Sequence, residues 1–300
     1  MADHQQPTPT QIGFILIVGV FAVSTAAIFI RLAIAAADER GLGLGFSLFL
    51  SAFRLLVASL VLLPTWRNLQ PNPPAPAALY YAGAAGVCLS CHFVAWITSL
   101  SFTSIAASTT LVTTNPIWVS LISWLWFPEK PTRTIVLGIA IAFAGGVLIA
   151  SGDAGSAIGD RTLLGNSLAL LGAILASLYL LLGREAQRHG LGIGRYAAIA
   201  YSTGALVLLP LPPLAGSNYV GYPLTVYLYT VLMAVVSQAI GHTAFNWSVR
   251  WVSPTLITLA LLFEPVGSSL LGYVVFGEAP GLPVLLGAVV VLVGVAVSLF

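Results

Sequence analysis

Apolar residues in this chain come in long blocks, each followed by a short polar or proline-containing break. Neither the alternation of a half-buried strand nor the single stripe of a surface helix stands out, because the blocks are apolar nearly all round. A helix that crosses the hydrocarbon core of a bilayer needs about 20 such residues. The runs that meet this length are 12–36, 44–64, 78–99, 103–127, 134–152, 163–183, 195–215, 223–248, 253–276 and 280–300. The longest connections between them are 65–77, rich in proline, and 153–162. The pattern predicts an all-α membrane protein of ten transmembrane helices, with whatever chemistry it performs lying between them. The first run is too long for a signal-peptide core, and residues 1–11 carry no Lys or Arg, so it is expected to stay as a mature helix.

Composition acts mainly by exclusion. Hydrophobic residues make up 58% of the chain and charged residues 7%, with a mean hydropathy of +0.99. A soluble domain carries about 25% charge, so this chain lacks the means to cover a water-facing surface, and disorder is excluded by the same shortage of polar residues. The formal net charge is +2, with 11 Lys and Arg, which leaves no basic face for nucleic acid. Cys88, Cys91 and His92 spell the C-x-x-C-H haem-attachment pattern, but inside a continuous apolar helix where haem cannot be wrapped. Asn246-Trp247-Ser248 matches a glycosylation sequon at a depth no transferase reaches. There is no G-x-S-x-G elbow, no phosphate-binding G-x-x-x-x-G-K-[ST] loop and no paired acidic metal cluster, so neither cofactor nor metal is expected.

Basic residues set the expected orientation. With the N-terminus inside, the inner loops carry Arg67, Lys130, Arg133, Arg184, Arg188, Arg195 and Arg250, and the outer loops only Arg40 and Arg161. Ten spans then return the C-terminus to the same side. The expected location is the cell (inner) membrane, multi-pass, with both termini cytoplasmic. Trp66, Trp124, Trp126 and Trp251 fall at the inner interface on this reading.

The chain also resembles itself. At an offset of 149, Ser104, Thr109, Pro116, Glu129, Gly138 and Gly145 match Ser253, Thr258, Pro265, Glu278, Gly287 and Gly294. At an offset of 153, Gly19, Ser24 and Arg31 match Gly172, Ser177 and Arg184, and LVLLP at 60–64 recurs at 206–210. These offsets divide the chain into two five-helix halves, residues 1–152 and 153–300. Because five is odd, the halves enter the membrane from opposite sides and form an inverted repeat. Two such halves exchange conformations, turning an inward opening into an outward one around a substrate held between them. Duplication that merely builds a stable bundle is the alternative.

The late segments NPIWVSLISWLWFPEKPT and EPVGSSLLGYVVFGEAPG each begin at a kink proline and lead, past a Glu, into a Gly-rich helix. With an early Ser…Arg helix in each half, this layout resembles the drug/metabolite transporter superfamily over the whole chain. Within it, the chain is similar to the ten-helix metabolite exporters, a branch that includes bacterial exporters of amino acids. The resemblance implies export of small amphipathic metabolites, with aromatic or other apolar amino acids the expected class. One departure stands out: four-helix multidrug relatives carry a proton-coupling glutamate in their first helix, and spans 12–36 and 163–183 have no acidic residue. An intramembrane enzyme using His92 or His242 as base, and a lipid scramblase or receptor-like binding protein, are the competing classes. The expected partners are a small-molecule substrate and the bilayer, in a monomer or a homodimer.

Polar side chains are costly in lipid and are expected to face the protein interior or water. In the third span Cys88, His92, Trp96 and Ser99 recur on one helical face, and their mates at offset 149 are Ser237, Gly241, Phe245 and Ser248. The expected substrate-binding set is His92, Trp96, Ser99, Ser237, Phe245, His242 and Asn246, joined by Ser24, Ser177 and Tyr179. Each also has a plain packing role open to it. Pro116 and Pro265 are expected to kink their helices by pushing against the carbonyls of Val112 and Leu261, as hinges, cavity-shaping bends or static features. Arg54 and Glu264 are the charges nearest mid-depth, and an unpaired charge there costs about 2.5 kcal/mol or more. Mutual pairing or a water-filled cavity is therefore expected for both. Arg31 is expected to snorkel, and Glu129 and Glu278 to lie at helix ends. The Gly-rich spans five and ten read as peripheral helices that close each half or join two protomers.

Overall fold

The computed structural model describes residues 7–38, 43–66, 74–126, 132–153, 161–248, 251–252, 257 and 260–298, without side chains at 65–66, 150–153 and 298. Arg40, Arg67, Glu129, Lys130, Arg250, Ser253 and Thr258 lie outside the described residues, as does the side chain of Trp66.

The helices, in chain order, are α1 (Pro9–Ala36), α2 (Leu44–Val61), α3 (Pro76–Ser99), α4 (Ile105–Val112), α5 (Asn115–Trp126), α6 (Arg133–Asp153), α7 (Thr162–Arg188), α8 (Ile193–Leu208), α9 (Leu224–Ser248), α10 (Glu264–Phe276) and α11 (Leu282–Ser298). No strand occurs among the described residues. Seven stretches are long and apolar enough to cross a membrane: α1, α2, α3, α4 with α5, α7, α8 extended to Leu214, and α9. Arg133–Ile149 and Leu282–Val297 are shorter apolar helices. This is an all-α, multi-pass membrane protein.

Local sequence explains where helices begin and end. Thr8 caps α1 with a reciprocal pair of bonds: its hydroxyl accepts from the Gln11 amide at 3.3 Å, and its own amide donates to Gln11 Oε1 at 2.9 Å. The Ser104 hydroxyl accepts from the Ala107 amide at 3.1 Å and starts α4. Gly277 ends α10 with φ +67, a left-handed conformation that a side chain would strain. Along the helices, hydroxyls are satisfied by carbonyls one turn back, as when Ser51 donates to Ser47 O and Thr109 to Ile105 O, both at 2.7 Å.

Burial is the reverse of that in a soluble protein. Large apolar side chains such as Phe14 and Leu125 are exposed by 67% and 78%, while Arg54, Gln238, Ser51 and Ser108 are at 0%. The apolar exterior faces lipid and the polar groups face one another. Inside, α3 packs along α7 and α8, α1 along α9, and α6 along α11.

The glycine-rich helices α6 and α11 meet through backbone. A Cβ on Gly145 would lie 2.6 Å from Val291 N, one on Gly287 2.7 Å from Gly145 O, and one on Gly294 2.5 Å from Ala142 N. These glycines bring two helices of one chain together; they do not close each half separately. Elsewhere, aromatic rings of α2 (Phe46, Phe49, Phe53) pack against Tyr219, Tyr222 and Tyr227 near the start of α9, with centroids 4.8–6.1 Å apart.

Candidate functional site

The long fourth span breaks at Thr113–Thr114, between α4 and α5, and a second break at Leu262–Phe263 precedes α10. Pro116 and Pro265 each sit at the second position of the following helix, where the missing amide hydrogen costs nothing. The residue before each proline, Asn115 or Glu264, is thereby brought to the first turn of a helix that starts inside the protein. Both backbone carbonyls accept a hydrogen bond from a distant serine. Ser177 on α7 shares its hydroxyl proton between Ala173 O at 2.8 Å and Asn115 O at 3.2 Å, and Ser24 on α1 shares its own between Val20 O at 2.8 Å and Glu264 O at 3.4 Å.

A cavity of about 90 Å³ opens beside these breaks. Its polar lining consists of His92 and Trp96 from α3, Thr113 and Asn115 at the first break, Tyr179 from α7, His242 and Asn246 from α9, and Glu264. Phe245, Leu89, Val112, Ile257 and Leu261 supply apolar wall. His92 Nδ1–H donates to Gly172 O at 2.8 Å, which leaves Nε2 as an acceptor. The His92 and Trp96 rings are near-parallel, with centroids 6.1 Å apart. Asn246 Nδ2 donates to the Tyr179 hydroxyl at 2.8 Å. Trp96 Nε1 and Asn115 Oδ1 are buried and have no hydrogen-bond partner among the described residues. The Glu264 carboxylate, on a side chain 8% exposed, makes no hydrogen bond or ion pair with the described residues.

Of the ten side chains expected to bind substrate, six line the cavity: His92, Trp96, Tyr179, His242, Phe245 and Asn246. The four serines do not. The Ser99 hydroxyl donates to Trp96 O at 2.6 Å and lies 2.7 Å from that of Ser108. Ser237 lies 3.1 Å from the Thr25 hydroxyl, joining α9 to α1. Ser24 and Ser177 act on the backbone at the breaks, as described above. Hydroxyls in an apolar protein go to the nearest acceptor, and here that is another helix or a carbonyl.

Of the two arrangements expected for Arg54 and Glu264, mutual pairing or a cavity, the ion pair is not formed among the described residues. Arg54 Nε donates to Gln238 Oε1 at 3.1 Å, and its guanidinium lies 4.0 Å from the centroid of Phe93. Arg54 does not line the cavity; Glu264 does. The contact that does form joins two residues not expected to meet. Arg31 Nη1 lies 3.6 Å from Glu278 Oε2, the other terminal nitrogen of Arg31 donates to Thr103 O, and Glu278 Oε1 accepts from the Ile105 amide at 2.7 Å. The left-handed turn at Gly277 aims Glu278 back at the start of α4, where a carboxylate suits the helix dipole. Arg31 therefore is held at a helix junction and is not left to snorkel.

Gln238, which holds Arg54, and Asn115, which lines the cavity, are positions that the sequence did not single out as site candidates. Asn115 had a signal: it is the offset-149 mate of Glu264. Gln238 had none beyond being an amide in an apolar run.

Comparison with known proteins agrees with this picture. The chain matches the EamA-like transporter family twice, over residues 10–151 and 163–300. It is 28% identical over 253 residues to the uncharacterized transporter YdfC of Bacillus subtilis (strain 168), covering 82% of this chain and 79% of that one. It is 25% identical over 187 residues to a protein of Streptantibioticus cattleyicolor named "Probable terminal-alkyne amino-acid exporter", covering 62% of this chain and 61% of that one. A crystal structure aligns with a TM-score of 0.65 at 18% identity, over 97% of this chain and 96% of that one, a likeness of fold. The names of these relatives point to a transporter and not to an enzyme. With nearly its whole length matched in two passes, the chain belongs to the EamA-like transporter family of the drug/metabolite transporter superfamily.

Proposed function

We propose that the protein is a secondary transporter that exports small amphipathic metabolites, with aromatic or other apolar amino acids as its substrates, by alternating access. The observation that carries this reading is the cavity beside the two helix breaks: aromatic walls next to unpartnered polar groups, inside a transporter. Rings of Trp96, Tyr179 and Phe245 suit an apolar side chain, and the polar atoms suit a backbone end. At about 90 Å³ the cavity is smaller than the ~300 Å³ of the smallest ligand pockets, so this is a contracted form that widens around substrate.

Ten helices in two inverted halves, 1–152 and 153–300, complete the reading. Two observations support it: the family matches the chain once on each side of residues 152–162, and the helix breaks recur 149 residues apart. The distribution of Arg and Lys supports a cytoplasmic N-terminus and, with ten spans, a cytoplasmic C-terminus in the inner membrane. A C-terminal reporter active only on the outside would overturn that topology. The name of one relative, "Probable terminal-alkyne amino-acid exporter", supports the substrate class.

The decisive measurement is uptake and counterflow in proteoliposomes with a labelled amino-acid panel, with and without an imposed pH gradient. Counterflow of phenylalanine or leucine is expected. Because the spans 12–36 and 163–183 carry no acid, downhill movement is expected to persist without the gradient. Absence of counterflow for every amino acid would end the substrate assignment, and strict dependence on the gradient would shift attention to proton transfer at Glu264.

A further inference from the structure

The polar groups that face the cavity are unequal in kind. Glu264 is the charged residue of the lining, which contains no Lys or Arg. Its carboxylate is unpartnered, Asn115 Oδ1 is a buried acceptor without a donor, and His92 presents the acceptor Nε2 because Nδ1–H is committed to Gly172 O. Three acceptors thus belong to side chains that line one space. The donors of the lining are all neutral: the unpartnered Trp96 Nε1–H, the Asn115 amide N–H groups, one ring N–H of His242, and the Asn246 amide that already donates to Tyr179. Arg54, the nearest guanidinium, donates from Nε to Gln238 and lies over the face of Phe93; its two terminal nitrogens have no partner among the described residues, and it does not line the cavity.

An ammonium group has three donors and a positive charge, and so answers all three acceptors at once. A carboxylate would find only neutral donors, no cation in the lining, and Glu264 repelling it. We propose that the cavity selects substrates by their ammonium group, held by Glu264 with Asn115 and His92. Primary amines with an apolar or aromatic body and no carboxylate are then substrates in their own right. This rests on the reading of the cavity as the transport site, and it extends the substrates beyond amino acids. Trp96, with its ring stacked near His92, adds an aromatic face suited to the cation or to the ring of the substrate.

The test is binding to the purified full-length protein of labelled 2-phenylethylamine, displaced by unlabelled 2-phenylethylamine, phenylalanine and 3-phenylpropionate. Expected are displacement by the amine and by the amino acid at comparable concentrations, and no displacement by the acid. Glu264→Gln should weaken amine binding by roughly tenfold or more, as removal of a charged hydrogen-bond partner does. Competition by the acid in place of the amine would overturn the proposal, even if the variant does not fold. So would amine binding that is equal in a folded Glu264→Gln protein, or no amine binding at all. Amine binding without counterflow of any amino acid would uphold the ammonium site and remove the amino-acid assignment. Counterflow of phenylalanine without amine binding would do the opposite.

Discussion

The break between α4 and α5 and the break before α10 have the same outline and different supports. In both, a proline follows one residue after the break, and a serine from a distant helix bonds the carbonyl just before that proline. The first break is also tied within itself. Thr113 donates to Thr109 O at 2.9 Å, Thr114 donates to Leu111 O at 2.7 Å, and Trp118 Nε1 donates to the Thr114 hydroxyl at 3.1 Å. The second break has Leu262 and Phe263 in place of the threonines and takes its polar support from α1. There Ser268 donates to Ser24 O at 3.0 Å, and Gly267 lets the helices close, since a Cβ on it would lie 2.5 Å from Ser24 Oγ. Repeated residues give the bend, and the differing ones decide how firmly it is held and what charge it presents. Asn115 leaves the first side neutral; Glu264 makes the second acidic.

Exchanging the two pre-proline residues tests the chemical half of that contrast most severely. Glu264→Asn is expected to lower substrate binding by roughly tenfold or more. Adding Asn115→Glu should recover part of the loss if both side chains reach one space. No recovery in displacement binding by the folded double variant would mean that only the second position serves the site.

The prolines test the mechanical half. Pro116→Ala and Pro265→Ala each allow a backbone bond to the carbonyl of Val112 or Leu261, which favours the state with the straighter helix. A bias of about 1.4 kcal/mol changes a two-state ratio tenfold. If the halves are inverted, the two variants should shift thiol labelling at opposite mouths, read from cysteines placed there in a background free of Cys88 and Cys91. Unchanged labelling with normal transport in both would leave the prolines as static bends.

The smallest effects belong to the serines. Each of Ser24→Ala and Ser177→Ala removes an inter-helix bond of about 0.6 kcal/mol, the average for such bonds in membrane proteins. Because the second break depends on α1 for support, Ser24→Ala should be the more destabilising of the two in a denaturant titration. Equal losses would show that the internal threonines add little at the first break.

Much of this was legible in sequence. Apolar blocks gave the helices because lipid demands internally bonded backbone over a set length. The places of the two breaks were legible because proline suits the first turn of a helix and not its middle, although the expected mid-helix kinks are instead breaks with each proline starting a new helix. What failed was direction around the helix axis. Arg54 and Glu264 share a depth, but depth does not say which way a side chain points, and Arg54 points to Gln238 and Phe93. On α9 an α-helical spacing groups Ser237 with Gly241 and Phe245. The stretch Met233–His242 is instead a π-helix, whose wider turns slip the faces out of phase. Ser237 consequently turns to Thr25 while His242 and Asn246 reach the cavity with Phe245. The Arg31–Glu278 contact was hidden for a third reason: it depends on the left-handed turn at Gly277, which acts across three segments distant in sequence.

The backbone contact between α6 and α11 bears on how variants of this protein should be ranked. A scale that scores residues by their liking for lipid rates Gly→Ala or Gly→Val as an improvement at any membrane position. At Gly145, Gly287 and Gly294 the added methyl would meet main-chain atoms at 2.5–2.7 Å, and main chain cannot rotate aside. Gly146, one residue from the seam, has its nearest neighbour at 3.9 Å and accepts the same change. In a deep substitution map, the least tolerant positions of these two helices should therefore be those where hydropathy forecasts a gain, with opposite outcomes at adjacent glycines.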